Sequence, residues 1–331
     1  MKITLLKGGV SSERDVSLVS GRMISETLQN NGHKVVELDT VLPIEQLHIK
    51  MEATQENIAK GNANLLSLLQ HQTIQNCDFI FNALHGGEGE NGEVQSLLMM
   101  HNFKFNGSDS TGCAIAMDKI ISKLIFERYS IPTPKWEHFN RGKDETIPEM
   151  IAEVVAKLEF PVVVKPANEG STVGLTIVKE ETKLDAAILY SLDFCREILV
   201  EEFIPGRELT VTILDGETLP IVEIIPKHEI YDYECKYTDG MSNYQCPADI
   251  SPELTKEIMN LSIIGFKALK CSGYGRMDLR LSPDNKPYFL ELNTLPGMTS
   301  HSLVPKAAKA ASITFENLIE KIIETGLKNG K

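Results

Sequence analysis

The chain has no apolar run that approaches 18 residues, which is about the length that a membrane-crossing helix requires. Its opening, Met1 to Gly9, predicts a short strand that enters a glycine turn. That opening is too short for the apolar core of a signal peptide. The lack of both kinds of segment leads us to expect a soluble intracellular protein.

Cysteine is also sparse, with six residues scattered along the chain and no Cys-x-x-Cys pair or Cys/His cluster at zinc-finger spacing. Isolated cysteines are typical of reduced thiols in the cytoplasm. Basic residues are in the minority, 33 Lys and Arg against 46 Asp and Glu, so the formal net charge is -13. A field of that sign repels polyanions and argues against sequence-independent binding to nucleic acid.

What the sequence does contain is an ordinary globular balance, with 42% hydrophobic and 24% charged residues over 331 positions. This composition argues against a disordered chain and leaves room for a sizeable core. At about 150 residues per domain, the length predicts about two domains, or three if each is small.

The first third of the chain alternates between strands and helices. Apolar runs at 3–6, 34–38 and 79–84 predict strands, and the periodicity over 16–28 predicts an amphipathic helix. Such alternation is typical of an α/β domain with a parallel sheet. We predict that this domain covers residues 1–107, where the pattern breaks.

Two further domains are predicted beyond this point, over residues 108–204 and 205–331, because the turn Pro205-Gly206 marks a boundary. In the third domain, 231–249 is polar, aromatic and without periodicity, and so long a loop in a compact chain is usually functional. In the second domain, a helix is predicted to have an apolar face made of Ile120, Ile121, Leu124 and Ile125.

The most informative stretch is a predicted hairpin with one polar face. Period-two alternation places Arg276, Asp278 and Arg280 on one side of its first strand. On the second strand it places Glu291 and Asn293 together, with Leu290 on the opposite side. Asp278 then lies nearly opposite Glu291, and two carboxylates with an amide oxygen suit Mg²⁺ that bridges phosphate oxygens. The alternative, a solvated sheet face, fits poorly with strands that are otherwise apolar.

A glycine-flanked loop, 168–174, follows the predicted strand that ends on Lys165. Its backbone N–H groups can bend over phosphate oxygens, with Lys165 supplying a positive charge. It is not a Walker A loop, because no Gly-Lys-Ser/Thr follows. The residues alone leave an ordinary hairpin turn equally open.

Other polar segments each allow two interpretations. Glu13 either belongs to a helix cap or presents a carboxylate to a ligand, and the glycine-rich segment 85–92 approaches either a ligand or another loop. The strand end 201–208 offers backbone groups and carboxylates either to adenosine or to solvent. The turn at Gly297 can aim its N–H at a developing oxyanion, with the Ser302 hydroxyl nearby.

Together these segments resemble the ATP-grasp superfamily and, within it, the D-alanine:D-alanine ligase family. The resemblance covers nearly the whole chain and rests on seven motifs in order. It departs at Asn91, where the family usually has aspartate, and no usable motif falls within 41–76. The motifs are 8–21, 85–92, 117–119, 164–166 with 169–174, 231–237, 275–278 and 291–305.

The resemblance implies a three-domain ATP-grasp architecture of the α/β class, α+β in its ATP-binding part, with a parallel N-terminal domain. ATP would lie between the central and C-terminal sheets. The implied reaction joins two D-alanine molecules through an acylphosphate and releases ADP and phosphate, for peptidoglycan synthesis, cell wall biogenesis and cell shape. The implied protein is a cytoplasmic homodimer that uses ATP, D-alanine and two Mg²⁺ ions, with Mn²⁺ as a substitute.

Carried over residue by residue, the resemblance assigns four sets of roles. The ATP-binding set is Lys119, Lys165, Gly170, Ser171, Thr172, Glu201, Glu202, Ile204, Glu208 and Lys236. The metal ligands are Asp278, Glu291 and Asn293. The substrate-binding set is Glu13, His85, Lys236 and Ser302. The catalytic set is Glu13, Ser171, Tyr237, Arg276 and Gly297, of which Arg276 and the Gly297 N–H would stabilise the tetrahedral intermediate.

Two alternatives stay open. A D-alanine:D-lactate or D-alanine:D-serine ligase would share almost all of these residues, although the resemblance associates a tyrosine at Tyr237 with dipeptide formation. A non-catalytic nucleotide-binding module would have no need to keep Lys119, Lys165 and Arg276 together with the metal ligands. In any of these ligases, the loop 231–249 would close as a lid that excludes water.

Overall fold

Three sheets organise the protein, which a computed structural model describes over residues 1–41, 55–142, 146–228, 230–231, 233–238 and 240–329. For residues 55, 58, 73, 233, 237 and 329 the description covers the backbone only. The first sheet is parallel and the other two are antiparallel, so the predicted mixed class with a parallel N-terminal sheet is confirmed. Over these described ranges, every helix is too short or too polar to cross a membrane.

The N-terminal sheet has three strands in the order β2-β1-β3. Its central strand is buried at five of its six positions because helices cover both faces of the sheet. Ile3 and Leu5 pack with Leu28 of the first helix in one core, and Leu6 packs with Leu69 in the core on the other face. The elements are β1 (Lys2–Lys7), α1 (Arg14–Asn30), β2 (Lys34–Asp39), α2 (Gln55–Leu69), α3 (Gln72–Gln75), β3 (Phe79–Asn82) and α4 (Glu93–Met100).

The central sheet has four strands in the order β4-β7-β5-β6. In front of it, the Asp118 carboxylate accepts hydrogen bonds from the N–H groups of Ile120 at 2.9 Å and Ile121 at 3.0 Å. This cap fixes Lys119 as the first residue of α6. The elements are α5 (Ser110–Met117), α6 (Lys119–Arg128), β4 (Trp136–Asn140), α7 (Ile147–Lys157), β5 (Val162–Pro166), β6 (Thr176–Val178), α8 (Leu184–Leu192) and β7 (Glu197–Glu202).

The buried face of α6 differs from the predicted one. Ile121 and Leu124 are 39% and 48% exposed, whereas Lys119, Lys123 and Phe126 are buried. The predicted helix is present and Ile120 is buried, but the predicted apolar face is wrong at Ile121 and Leu124. Ion pairs of Lys119 with Glu291 and of Lys123 with Glu201 hold the opposite side of the helix inward.

The third sheet has the strand order β11-β10-β8-β12-β13, with β9 paired to β8. The prediction that 231–249 is a loop throughout is wrong. The segment contains a short helix and a strand that pairs antiparallel with β10. The elements are β8 (Arg207–Leu214), β9 (Glu217–Thr218), β10 (Val222–Pro226), α9 (Tyr233–Tyr237), β11 (Ser242–Gln245), α10 (Pro252–Ala268), β12 (Tyr274–Leu281), β13 (Pro287–Asn293), α11 (Leu303–Ala310) and α12 (Phe315–Asn329).

The C-terminal helix packs against the first sheet. Ile319 and Ile323 of α12 share a core with Leu5 of β1. A Cβ on Gly326 would lie 2.4 Å from the Phe105 carbonyl oxygen, so only glycine permits this close approach. The two ends of the chain therefore meet in one core, and the domain limits at 107 and 204 stay a prediction.

Candidate functional site

Two adjoining cavities, of about 600 Å³ and about 120 Å³, contain the predicted site residues. The larger cavity is lined by Glu13, His85, Asn293, Gly297 and Ser302. The smaller cavity is lined by Lys165, Thr172, Glu201, Glu202, Ile204, Glu208 and Asp278. Both are lined by Lys119, Gly170, Ser171, Lys236, Arg276 and Glu291, where they meet. The side chain of Tyr237 lies outside the part of the protein that the structure describes.

The β12-β13 hairpin forms the floor of the junction. As predicted, Asp278 pairs with Glu291 across the strands, and Arg276 pairs with Asn293. The register then shifts by one residue after Asp278. This bulge turns Leu290 toward the lining of the smaller cavity, beside Glu291. The prediction that Leu290 lies on the opposite face is therefore wrong.

Positive side chains hold both carboxylates of the hairpin. Asp278 accepts hydrogen bonds from Arg276 Nε at 2.8 Å and Nη2 at 2.7 Å, and Lys119 Nζ lies 3.1 Å from Glu291 Oε2. Burial on its own would raise the pKa of Glu291, but the charges of Lys119, Lys165 and Lys236 lower it from 4.5 to about 2. Glu291 is therefore ionised at neutral pH.

The donor set of the hairpin fits a hard divalent cation. Within the described residues, no three His, Cys, Asp or Glu side chains gather into a metal-binding cluster. An ion would therefore use the two facing carboxylates, the Asn293 amide oxygen and oxygens of a bound ligand. Magnesium accepts such a set, because it binds through one or two carboxylates together with substrate phosphates.

The glycine-flanked loop lies over the junction of the cavities. Ser171 and Thr172 have left-handed φ values of 49° and 61°, which turn the loop sharply between β5 and β6. The Ser171 hydroxyl donates a hydrogen bond to Glu13 Oε1, and Lys119 Nζ donates one to the Glu169 carbonyl oxygen at 2.7 Å. The loop is thus tied to α1 on one side and to α6 on the other.

Arg280 braces the far wall of the smaller cavity. It donates to the Ile204 carbonyl oxygen at 3.0 Å and to Glu208 Oε2 at 3.1 Å, and its guanidinium lies 5.5 Å from the centre of the Phe203 ring. Burial raises the pKa of Glu208 against the attraction of Arg280. Alternation along β12 predicted that Arg280 shares a face with Asp278, and both residues line the smaller cavity, but the sequence assigned Arg280 no role in the site.

The Glu201 side chain is committed to two lysines. Its carboxylate contacts Lys165 Nζ and lies 2.8 Å from Lys123 Nζ. The sequence pattern indicated only the backbone groups of this strand end and no role for Lys123. The available signal was a lysine inside the otherwise apolar run of α6, which requires a buried counter-charge.

His85 is fixed at the edge of the larger cavity by two buried side chains. Its Nδ1 lies 3.4 Å from Glu90 Oε1, and its Nε2 lies 3.2 Å from Ser20 Oγ. Ser20 Oγ also accepts a hydrogen bond from the Met298 N–H at 3.3 Å. Ser20 therefore couples the histidine to the turn that contains Gly297.

Comparison with family models places nearly the whole chain in two matches. Residues 2–108 match the model described as "D-ala D-ala ligase N-terminus", and residues 125–324 match "D-ala D-ala ligase C-terminus". A curated relative, "D-alanine--D-alanine ligase" of Gloeobacter violaceus, is 40% identical over 331 residues, which cover 99% of this chain and 100% of the relative.

Two solved structures are similar over almost their full length. D-alanine--D-alanine ligase from Bacillus anthracis complexed with ATP has a TM-score of 0.80 and 32% identity, covering 99% of this chain and 98% of that one. VanG D-Ala:D-Ser ligase from Enterococcus faecalis has a TM-score of 0.80 and 28% identity, covering 98% of this chain and 99% of that one.

Proposed function

The chain belongs to the D-alanine--D-alanine ligase family, and from that membership we infer that it joins two D-alanine molecules with consumption of ATP. The observation that carries this inference is the junction of the two cavities. Lys119, Arg276 and Glu291 line both of them. A phosphate-binding side and an amino-acid side therefore share one set of charges, as phosphorylation of a bound carboxylate requires.

ATP is assigned to the smaller cavity. Lys119 and Lys165 supply positive charge for its phosphates, and the loop Gly170–Thr172 lies over them. Glu201, Glu202, Ile204 and Glu208 are assigned to the adenosine. At about 120 Å³ this cavity is smaller than an ordinary ligand pocket of about 300 Å³ or more, so we propose that Tyr231 and Lys236, which line it, shift when ATP enters.

Mg²⁺, or Mn²⁺ in its place, is assigned to Asp278, Glu291 and Asn293. When bound, the metal neutralises the developing charge on the transferred phosphate. Arg276 and Lys119 already bind the same carboxylates from the protein side. They hold the oxygens in place and limit the repulsion between the two acids and the triphosphate.

The larger cavity is assigned to the two D-alanines. Glu13, held by Ser171, pairs with the ammonium of the first, and His85 contributes to the same pocket. Lys236 and Ser302 hold the carboxylate of the second. In the first step a carboxylate oxygen of the first D-alanine attacks the γ-phosphorus, and ADP leaves.

In the second step the free amine of the second D-alanine attacks the acyl carbon, and the C–O bond to the phosphate breaks. Phosphate leaves and accepts the proton that the new amide nitrogen loses. Negative charge develops on the carbonyl oxygen in this step. We assign its stabilisation to Arg276 and the Gly297 N–H. Ser302 Oγ would lie only 2.8 Å from a Cβ at position 297, so a side chain there would crowd the substrate-binding hydroxyl.

Tyr237 is assigned a role in favouring an amine over a hydroxyl as the second nucleophile. The D-serine ligase similarity keeps a D-alanine:D-serine or D-alanine:D-lactate reaction as the second candidate. We expect Tyr237→Phe to shift product toward the D-lactate ester when D-alanine and D-lactate compete. Product ratios identical to wild type, measured by mass spectrometry, would remove the assignment.

The experiment that tests the function is phosphate release from ATP and Mg²⁺ with D-alanine, L-alanine, or D-alanine plus D-lactate. D-alanine-dependent release together with a D-alanyl-D-alanine product is expected. No release with any of them, despite measurable ATP binding, would favour a nucleotide-binding module.

Two further properties are proposed from the same membership. We assign the reaction to peptidoglycan precursor synthesis in the cytoplasm, where scattered cysteines such as the six of this chain are typically reduced. We also propose a homodimer, which light scattering of the purified protein tests directly. A single species with the mass of one chain at micromolar concentration would contradict it.

A further inference from the structure

Lys123 is a fully buried lysine, with 0% of its side chain exposed. Long charged side chains are almost never buried so completely unless they are paired. It lies on α6, one turn after Lys119, and lines neither of the two cavities. It therefore touches no ligand assigned above, and its cost must be offset by what it does inside the protein.

Its partners are three groups behind the wall of the smaller cavity. Lys123 Nζ lies 2.8 Å from Glu201 Oε2 and donates to Thr133 Oγ1 at 2.6 Å and to the Pro134 carbonyl oxygen at 3.3 Å. The other oxygen of Glu201 contacts Lys165 Nζ. We call Lys123, Glu201 and Lys165 the buried triad.

The net charge of the buried triad determines how much positive charge the smaller cavity offers to a ligand. Glu201 and Lys165 alone would form a neutral pair, with the Glu201 carboxylate 4% and Lys165 8% exposed. Lys123 adds a second positive charge on the side of Glu201 that faces away from Lys165. The triad then carries a net charge of +1, and Lys165 is the member that reaches the phosphate side of the cavity.

The protonation states agree with this arrangement. Burial would raise the pKa of Glu201, but Lys123 and Lys165 lower it, so the carboxylate stays ionised. Burial lowers the pKa of Lys123 to about 8, against the attraction of Glu201 and Glu127 and with the repulsion of Lys165. Lys123 is therefore mostly charged at neutral pH.

We propose that Lys123 is a positioning residue for ATP, which balances Glu201 so that the positive charge of Lys165 remains available to the triphosphate. The proposal rests on the proposed function, since it assigns ATP to the smaller cavity. Lys123 also fixes Pro134, which lines that cavity. A purely structural role would affect all ligands of the cavity alike, whereas a role through charge affects the phosphates more than the nucleoside.

The test compares two ligands, ATP and adenosine, by calorimetric Kd measurements without added divalent metal. We expect Lys123→Met to weaken the binding of ATP roughly tenfold and that of adenosine by much less. The ratio of the ATP Kd to the adenosine Kd should therefore rise. Lys256, an exposed lysine of α10, gives the matched control, and Lys256→Met is expected to leave the ratio unchanged.

The double variant Lys123→Met/Glu201→Gln restores the net charge of +1 and leaves no buried acid unpaired. It is expected to return the Kd ratio toward the wild-type value, even where adenosine itself binds less tightly. The double variant also tests the proposal if the single variant does not fold, because it leaves no unpaired charge buried. A ratio of the ATP Kd to the adenosine Kd that is unchanged in Lys123→Met, or that rises further in the double variant, would overturn the proposal.

The two levels of inference fail differently. If wild-type protein binds no ATP, the assignment of the smaller cavity is wrong and the proposed function with it. If wild type binds ATP and forms the dipeptide while Lys123→Met keeps the wild-type Kd ratio and KM for ATP, only the role of Lys123 is wrong.

Discussion

Replacing Glu291 with glutamine separates the folding role of this carboxylate from its role in the reaction. Its charge lies 3.1 Å from Lys119 Nζ, where two unit charges attract by about 5 kcal/mol at an effective dielectric constant of about 20. The Glu291 side chain is 35% exposed, so solvent screens the pair and its net contribution to the free energy of unfolding is about 1 kcal/mol or less. The fold should therefore survive the substitution.

The expected effect on turnover is much larger. Glutamine keeps the shape and one oxygen but removes the negative charge from the proposed metal site, and it leaves Lys119 without its carboxylate partner. Loss of one preorganised electrostatic group in an active site costs about 100-fold or more in kcat, which corresponds to about 2.7 kcal/mol of activation free energy.

The assay is steady-state phosphate release at saturating ATP and D-alanine over a range of Mg²⁺ concentrations, with the thermal midpoint measured in parallel. Glu257→Gln, on the exposed side of α10, is the matched control and should behave as wild type. Turnover of Glu291→Gln within about threefold of wild type, at any Mg²⁺ concentration, would refute the assignment of Glu291 to the metal.

Three further predictions concern other parts of the molecule. Glu90→Gln removes the acid that lies 3.4 Å from His85 Nδ1, and it should raise KM for D-alanine about threefold to tenfold while leaving KM for ATP unchanged. Gly326→Ala should lower the free energy of unfolding by about 1–3 kcal/mol, because the new Cβ would lie 2.4 Å from the Phe105 carbonyl oxygen. Since the pKa of Lys123 is about 8, the Kd for ATP relative to adenosine should rise between pH 7 and 9, as the positive charge is lost.

Each of these predictions has a control in the same element or the same site. Glu93→Gln, exposed at the start of α4, should leave both KM values unchanged, and an equal rise in KM for ATP with Glu90→Gln would show a general disturbance. Leu327→Ala truncates an exposed side chain of α12 and should cost less than Gly326→Ala in chemical denaturation. The pH dependence should be absent from Lys123→Met, and its persistence there would assign it to another group.

The hairpin shows how far sequence reasoning reaches. Alternating polarity placed Asp278 opposite Glu291, because a strand repeats every two residues and a short turn fixes the register. The alternation failed at the neighbouring residue, Leu290, because a bulge breaks the two-residue repeat and no glycine marks it. The prediction for 231–249 failed for a similar reason. Its short strand gains its stability from pairing with β10 and not from its own sequence pattern.

The misplaced face of α6 has a different cause. Periodicity weighs isoleucine and leucine as buried and lysine as exposed, and Lys123 reverses that ranking because its counter-charge comes from a strand about 80 residues away. No local pattern contains that partner. For the same reason, the sequence pattern indicated that Glu201 ends a strand but not that its carboxylate pairs with buried lysines.

The proposed function requires the carboxylate of the first D-alanine to become an acylphosphate at the junction of the two cavities. Turnover of D-alanine labelled with ¹⁸O in its carboxylate, followed by mass spectrometry of the released phosphate, shows whether this intermediate forms. We expect each phosphate to carry one oxygen from the labelled carboxylate, in an amount equal to that of D-alanyl-D-alanine. Unlabelled phosphate, or labelled phosphate without dipeptide, would contradict it.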